Sequence, residues 1–337
     1  MQPHKNDSGQ NLPHLQKVQM TDSRLNACPV SAGFTIPTGE SKTQQGLGSG
    51  TNPRVQFTAA LTTSVRKYGV NVSGTVLILG GSCDDAAVLQ RAGFRRMTLT
   101  NIESVPLFAS GVSAFGDAEV QIESADAEGL HFPDNSYDLV LAHEVLHHCR
   151  SPHAALLEMV RVTRRHVVVM EPHDSLCMKA LEKMRLATFP YELAAVVDHD
   201  CVSGGMRDSC IPNFVYRWNR NEVFKTVSSF IPDRGFKLHA DPYWDLSLDE
   251  KALSLRKQTK LHVFTGLLGP RLFLRSLRVL QRMLNAVPIL RHQGNKFFCC
   301  VEKREDLRPW LIQTTSGIAF NRRFAGEVTD AVKHELA

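Results

Sequence analysis

The sequence predicts an α/β protein built on a mostly parallel sheet, and three observations carry that expectation. TVLILGG (75–81), SYDLVLA (136–142) and HVVVMEP (166–172) are short, nearly continuous apolar runs, as expected of strands covered on both faces. Helical patterns alternate with them, the rhythm of strands joined by crossover helices. The first run closes on Gly80-Gly81-Ser82 and passes directly into a helical segment.

Taken in order, the elements begin with VQFTAALTTSVRKYG (55–69), which has helical spacing and ends at Gly69. After the first strand, DDAAVLQRAGF (84–94) reads as a short helix with acidic residues in its first turn, where the helix dipole favours them. RMTLTNIE (96–103) is a second strand, AEVQIES (118–124) a weaker third, and SYDLVLA the fourth. Ser151-Pro152 opens the next helix, a capping residue followed by proline at the first helical position. HVVVMEP is the fifth strand. From 173 to 218 periodicity is weak, and this stretch reads as part of a lid or substrate-facing insertion. Asn219 with Glu222 forms a capping pattern that places Val223, Val227 and Phe230 on one helix face. GFKLHADPYW (235–244) and GNKFFCCVEKR (294–304) supply strands six and seven, with a helical insertion over 247–291 between them.

Composition narrows the function classes. A net charge of +5 is mildly basic, short of a dedicated nucleic-acid binder, and no nucleic-acid partner is expected. No apolar run is long enough to span a membrane and the N-terminus shows no signal-peptide core. The eight cysteines form no CxxC pair and read as reduced thiols, so the expected location is cytoplasmic. Residues 1–52, rich in Gln, Ser, Thr, Gly and Pro, read as a disordered leader, and 305–337 as a tail without assignment.

The chemistry lies at the ends of the strands. Small residues at Gly80, Gly81 and Ser82 allow close backbone approach by a ligand, and the following helix start offers free N–H groups to an anion. Strand two ends at Asn101-Ile102-Glu103, where an amide or carboxylate can bond ribose hydroxyls. The densest pattern runs from Asp126 to Arg164, DAEGLHFPDNSYDLVLAHEVLHHCRSPHAALLEMVRVTRR. Through Asp126, Ala127, Leu130, Phe132, Pro133, Asp134, Tyr137, Asp138, Val140, Val145, Leu146, His147, His148, Arg161 and Val162 it resembles the type 11 family of class I S-adenosylmethionine (SAM)-dependent methyltransferases.

The resemblance covers about residues 74–172 and implies a Rossmann-like methyltransferase fold. Its sheet would be mostly parallel and seven-stranded, with helices on both faces and helical insertions after strands five and six. It implies a domain over 53–304, with core motifs at 74–172, a lid or substrate insertion at 173–233 and a helical insertion at 247–291. It also implies S-adenosyl-L-methionine as cofactor. Asp126 would bond the adenine amino group with the Ala127 amide nearby, and Gly80, Gly81 and Ser82 would line the methionine end. Asn101, or Glu103 two residues on, would meet the ribose, and Ala142 and His143 would border the sulfonium. The sequence departs from the family at Ile78, Ser82 and Asp84, where an acid and two glycines are usual.

The expected function is methyl transfer to a small-molecule, glycan or lipid-like acceptor, the alternative being a binding protein of the same fold. The sequence fixes neither acceptor nor oligomeric state. Candidates for a base are His173, the first choice, and His147, with His143, His148 and Glu171 nearby. His143-Glu144-Val145-Leu146-His147 matches the HExxH zinc motif, but it starts where strand four ends and Ser151 opens a new helix soon after, so no metal is expected. Asp198, His199 and Asp200 read as solvated loop polarity. Arg271, Arg275, Arg278 and Arg282 share a helix face, with Phe273, Leu277, Leu280 and Leu284 about 200° away. This pattern reads either as a core-packing helix with a solvated arginine face or as a peripheral membrane contact through 271–284.

Overall fold

The computed structural model describes residues 61–326 apart from 63–64, 82, 103–116, 185, 187–189, 200, 247 and 249–260. The leader at 1–52, most of the predicted helix at 55–69, and Ser82 and Glu103 lie outside the described residues.

Seven strands form one sheet: β1 (Thr75–Leu79), β2 (Arg96–Asn101), β3 (Glu119–Ser124), β4 (Tyr137–His143), β5 (Thr163–Pro172), β6 (Arg234–Tyr243) and β7 (Lys296–Leu307). Their spatial order is β3-β2-β1-β4-β5-β7-β6. All pairs from β3 through β5 are parallel, whereas β7 runs antiparallel to both β5 and β6. The order reverses between β1 and β4, the kind of point at which open α/β sheets bind ligands beyond the carboxyl ends of their strands.

Leu77, Val140 and Val167 sit in one core layer while Ile78, Leu141 and Val168 sit in the other, as strict alternation on a doubly covered sheet requires. Helices α1 (Cys83–Arg91) and α2 (Pro152–Val162) follow β1 and β4. The Ser151 hydroxyl accepts the Ala154 N–H at 3.3 Å with Pro152 in the first turn, as the sequence predicts.

After β5 the chain forms α3 (Leu176–Lys183), α4 (Leu193–Asp198) and α5 (Arg220–Phe230). Ser175 caps α3 and Asn219 caps α5, each accepting a backbone N–H three residues on. Between β6 and β7 stand α6 (Leu261–Leu268), α7 (Pro270–Ala286) and the single turn α8 (Pro288–Arg291). Only Phe273 of α7 is fully buried; Leu277 and Leu284 are half-buried and Leu280 is exposed. A second apolar stripe, Leu272, Val279 and Met283, also faces outward. The tail adds a hairpin of β8 (Leu311–Thr314) and β9 (Gly317–Phe320), with Gly317 at φ 120° closing its tight turn. No helix among the described residues is long and apolar enough to cross a membrane.

Candidate functional site

The carboxyl ends of β1, β2, β3 and β4 open onto a cavity of about 280 Å³. Gly80, Asn101, Asp126, Ala127, Glu144 and His148 are in its wall. The turn after β1 needs glycine twice over. Gly80 adopts φ 54°, and a Cβ there would lie 2.7 Å from Val145 Cγ2. At Gly81 a Cβ would lie 2.6 Å from Ile78 Cγ2. Backbone can therefore approach a ligand closely at Gly80.

Asn101 ends β2 with its Oδ1 accepting the Ile102 N–H at 2.8 Å, and the residue lines the cavity. Asp126 follows β3. One carboxylate oxygen accepts the Glu128 N–H at 3.0 Å and the other accepts from Arg207 at 2.7 Å. Burial raises the Asp126 carboxyl, but these two donors outweigh it and hold it below the usual carboxylate range. Arg207 comes from the insertion after β5, adopts φ 52°, and also pairs with Glu128 at 3.2 Å. Sequence reasoning missed it, because it lies 81 residues from Asp126.

Much of the dense 126–164 pattern proves to be scaffold for this acid. Leu130 and Phe132 are buried in the core. Arg161 donates to the carbonyls of Leu130 and Phe132 at 2.6 and 2.9 Å and pairs with Asp134 and Glu158, so α2 clamps the loop that begins at Asp126. Asp138 receives the Thr75 N–H at 2.7 Å and pairs with Arg164, tying β4 to β1 at the opposite sheet edge.

The HExxH residues do not share a helix face. His143 ends β4 and meets Asp85 at 3.3 Å, Glu144 turns through φ 58°, and only Leu146–His148 form a short 3₁₀ turn. Glu144 lines the cavity and pairs with Lys296 at the start of β7. Burial lowers the Lys296 ammonium to about 8.

His147 turns inward. Its Nδ1 lies 2.5 Å from Glu171 Oε2 and its Nε2 3.2 Å from Glu192 Oε2. The other Glu171 oxygen accepts the N–H groups of Val145 and Leu146 at 2.9 and 2.7 Å. Burial opposes charge on His147, yet the two carboxylates raise it to about 10. Burial likewise raises Glu192, but His147 and His148 bring it down to about 2.

His173 lies outside the cavity wall. Its Nδ1 is 2.9 Å from the Gly294 carbonyl oxygen, its ring stacks on Phe297, and burial lowers its pKa. Gly81 and Ala142 are buried beneath the site, and His143 is beside α1. The predicted residues brought together at the cavity are thus Gly80, Asn101, Asp126 and Ala127. Burial raises the cavity thiol Cys149 to about 12, so it is no thiolate near neutrality.

Residues 79–170 match the family described as a methyltransferase domain. A methyltransferase of Schizosaccharomyces pombe, named as uncharacterized, is 38% identical over 63 residues, 19% of this chain and 20% of that protein. The chain thus aligns with about a fifth of that relative's length. Among solved structures, a SAM-dependent methyltransferase from Thermotoga maritima, described as a possible histamine N-methyltransferase, is 12% identical. It covers 73% of this chain and 89% of its own, with a TM-score of 0.39. Magnesium protoporphyrin IX methyltransferase from Synechocystis, solved with bound S-adenosylhomocysteine, is also 12% identical, covering 74% and 84%, with a TM-score of 0.41. Over residues 79–170 the chain thus matches a methyltransferase domain, carried on a sheet of order β3-β2-β1-β4-β5-β7-β6.

Proposed function

We propose that this chain transfers a methyl group from S-adenosylmethionine to a small-molecule, glycan or lipid-like acceptor. The observation that carries the proposal is the convergence of Gly80, Asn101 and Asp126 on one cavity at the sheet's reversal point. The residues present suit the cofactor: Gly80 turns at φ 54° with bare backbone in the cavity wall, and Asp126 presents an ionised acceptor. The cofactor supplies an electrophilic methyl group on a sulfonium.

The chain's own residues hold, orient and exclude water. Asp126 would accept from the adenine amino group, the Asn101 amide would reach the ribose, and the Gly80 backbone would face the methionine end. His147 is held charged between two carboxylates and His173 is bonded to Gly294, so we assign both to support of the wall. Where an acceptor must lose a proton, we assign Glu144 of the cavity wall, paired with Lys296, to receive it.

Titration calorimetry with SAM and S-adenosylhomocysteine tests this reading. One-to-one binding is expected; absence of binding at millimolar ligand would overturn it in favour of a non-catalytic relative.

The lipid-like end of the acceptor range has specific support in α6–α8. Residues 261–291 contain no Asp or Glu, yet carry Arg271, Arg275, Arg278, Arg282 and Arg291. Leu267 and Ile289 are 78% and 79% exposed beside these cations. We infer that this segment rests on an anionic membrane surface, its apolar side chains in the headgroup boundary and its arginines on lipid phosphates. Co-sedimentation with vesicles containing phosphatidylserine is expected, and is expected to be lost in Arg275→Glu/Arg278→Glu. Equal binding by the variant would remove the membrane assignment and leave the methyltransferase assignment standing.

A further inference from the structure

His147, His148 and Glu192 bring three ligand atoms within 4.8 Å of one another beside the cavity. We propose that these three residues form a binding site for a divalent transition-metal ion, with zinc as the reference case.

The argument begins with the orientation of the imidazoles. His147 Nδ1 faces the Glu171 carboxylate at 2.5 Å, and that carboxylate is itself fixed by two backbone N–H groups. His148 Nδ1 faces the Gly205 carbonyl oxygen at 3.2 Å. An acceptor behind Nδ1 sets the tautomer that carries its proton there, so the lone pair lies on Nε2. Metal-ligating histidines are held in this way, one by a carboxylate and another by a backbone carbonyl.

Both Nε2 atoms then converge on one oxygen. Glu192 Oε2 lies 3.2 Å from His147 Nε2 and 3.6 Å from His148 Nε2. An ion bonding nitrogen and oxygen at about 2.1 Å with tetrahedral angles sets its ligands about 3.4 Å apart. The two observed separations straddle that value. The rings are already juxtaposed, with centroids 4.4 Å apart, and Asn213 donates to the His147 carbonyl oxygen at 3.0 Å and to Glu192 at 3.4 Å. Without an ion, His147 carries a proton on Nε2 towards Glu192; binding releases that proton and leaves two imidazole nitrogens and a carboxylate oxygen around the cation.

The donor set selects the ion. Two imidazoles and one carboxylate suit zinc and its transition-metal neighbours, whereas calcium and magnesium prefer sites made of oxygen. Three protein ligands is the count of a zinc site that keeps an open position. His148 belongs both to this cluster and to the cavity wall, so an ion here borders the acceptor space and offers a bond to an acceptor oxygen or sulfur. The site is distinct from the HExxH reading. It uses His147 but replaces His143 with His148 and a glutamate 45 positions further along the chain than His147.

The test uses untagged full-length protein, stripped with chelator and titrated with Co²⁺ by visible absorption and with Zn²⁺ by calorimetry. One equivalent is expected, with the intense d–d bands of low-coordinate cobalt. His148→Ala and Glu192→Gln are each expected to weaken binding by more than about 100-fold, beyond the roughly 10–100-fold typical of outer-shell changes. His148→Gln provides a second variant at that position, and circular dichroism checks that all variants fold. His131→Ala, at an exposed histidine paired with Glu123, is expected to bind as the wild type. No stoichiometric binding, or equal binding by the folded His148 and Glu192 variants, would overturn the proposal. Cofactor binding is measured separately, so either assignment can fail alone.

Discussion

The β4–β5 spine and the α6–α8 segment are both rich in aliphatic side chains, yet they meet opposite fates. Leu139, Val140, Leu141 and Ala142 in β4, with Val167 and Val168 in β5, are essentially inaccessible. In the helical segment Leu267, Met283 and Ile289 are among the most exposed large apolar side chains of the described residues. The difference is geometric. A central parallel strand exists only with layers on both sides, so its apolar run declares its own burial. A helix satisfies its backbone internally, and an apolar stripe on it says only that something covers it.

Leu141→Ala tests the buried side most severely. It is expected to cost about 2–5 kcal/mol, read as a fall in the denaturation midpoint at unchanged m-value. A loss below about 1 kcal/mol would mean that the spine tolerates a cavity as the helices would.

Asp126→Ala probes the ligand end of the same spine. Loss of a charge-assisted hydrogen bond of about 1.5–3 kcal/mol should weaken SAM binding roughly 10–100-fold with little change in melting temperature. Unchanged calorimetric affinity would show that the adenine lies elsewhere.

A smaller contrast comes from pH, measured on chelator-stripped protein. Glu192 is lowered to about 2 from 4.5, so its contribution is complete above pH 4.5 and is lost as pH falls towards 2. His147 is raised to about 10 from 6.5, so its contribution is complete below pH 6.5 and is lost as pH rises through 10. Stability from this pair should plateau between these limits, and Glu192→Gln should flatten the acid limb. The described helical segment has no acidic group to add to it. A Glu192→Gln profile identical to the wild type would refute the coupling.

The smallest effect belongs to the exposed side. Leu267→Ser/Ile289→Ser should change stability by no more than about 0.5 kcal/mol while abolishing vesicle binding. A large loss of stability would mean that these side chains are covered within the protein after all.

What the sequence made legible follows the same division. All seven strands of the sheet can be read from it, because buried strands and their turns are local signals. The caps at Ser151 and Asn219 are legible for the same reason. Helix α3 is harder, its pattern short and its only start signal Ser175. The β8–β9 hairpin hides in four-residue strands. The cavity wall was legible at the strand ends, at Gly80 and Asp126. Contacts across long separations were invisible, as with Arg207 on Asp126 or Glu192 on His147, since the intervening fold alone brings them together. The 126–164 pattern had a further lesson: Arg161 belongs to it because it fixes the loop that follows Asp126, and Asp138 because it ties β4 to β1 at the other end of the strands.

Arg207 has a consequence for cofactor exchange. It and an incoming adenine would compete for the same Asp126 carboxylate, and the ion pair is partly exposed, 31% and 37% for the two side chains. Added electrolyte screens such a pair while leaving a neutral base untouched. The competition therefore tilts towards the nucleoside as ionic strength rises, so SAM affinity should strengthen modestly with salt in the wild type and stay flat in Arg207→Ala. Turnover would then be governed partly by how quickly one guanidinium surrenders its carboxylate and reclaims it when the spent nucleoside departs.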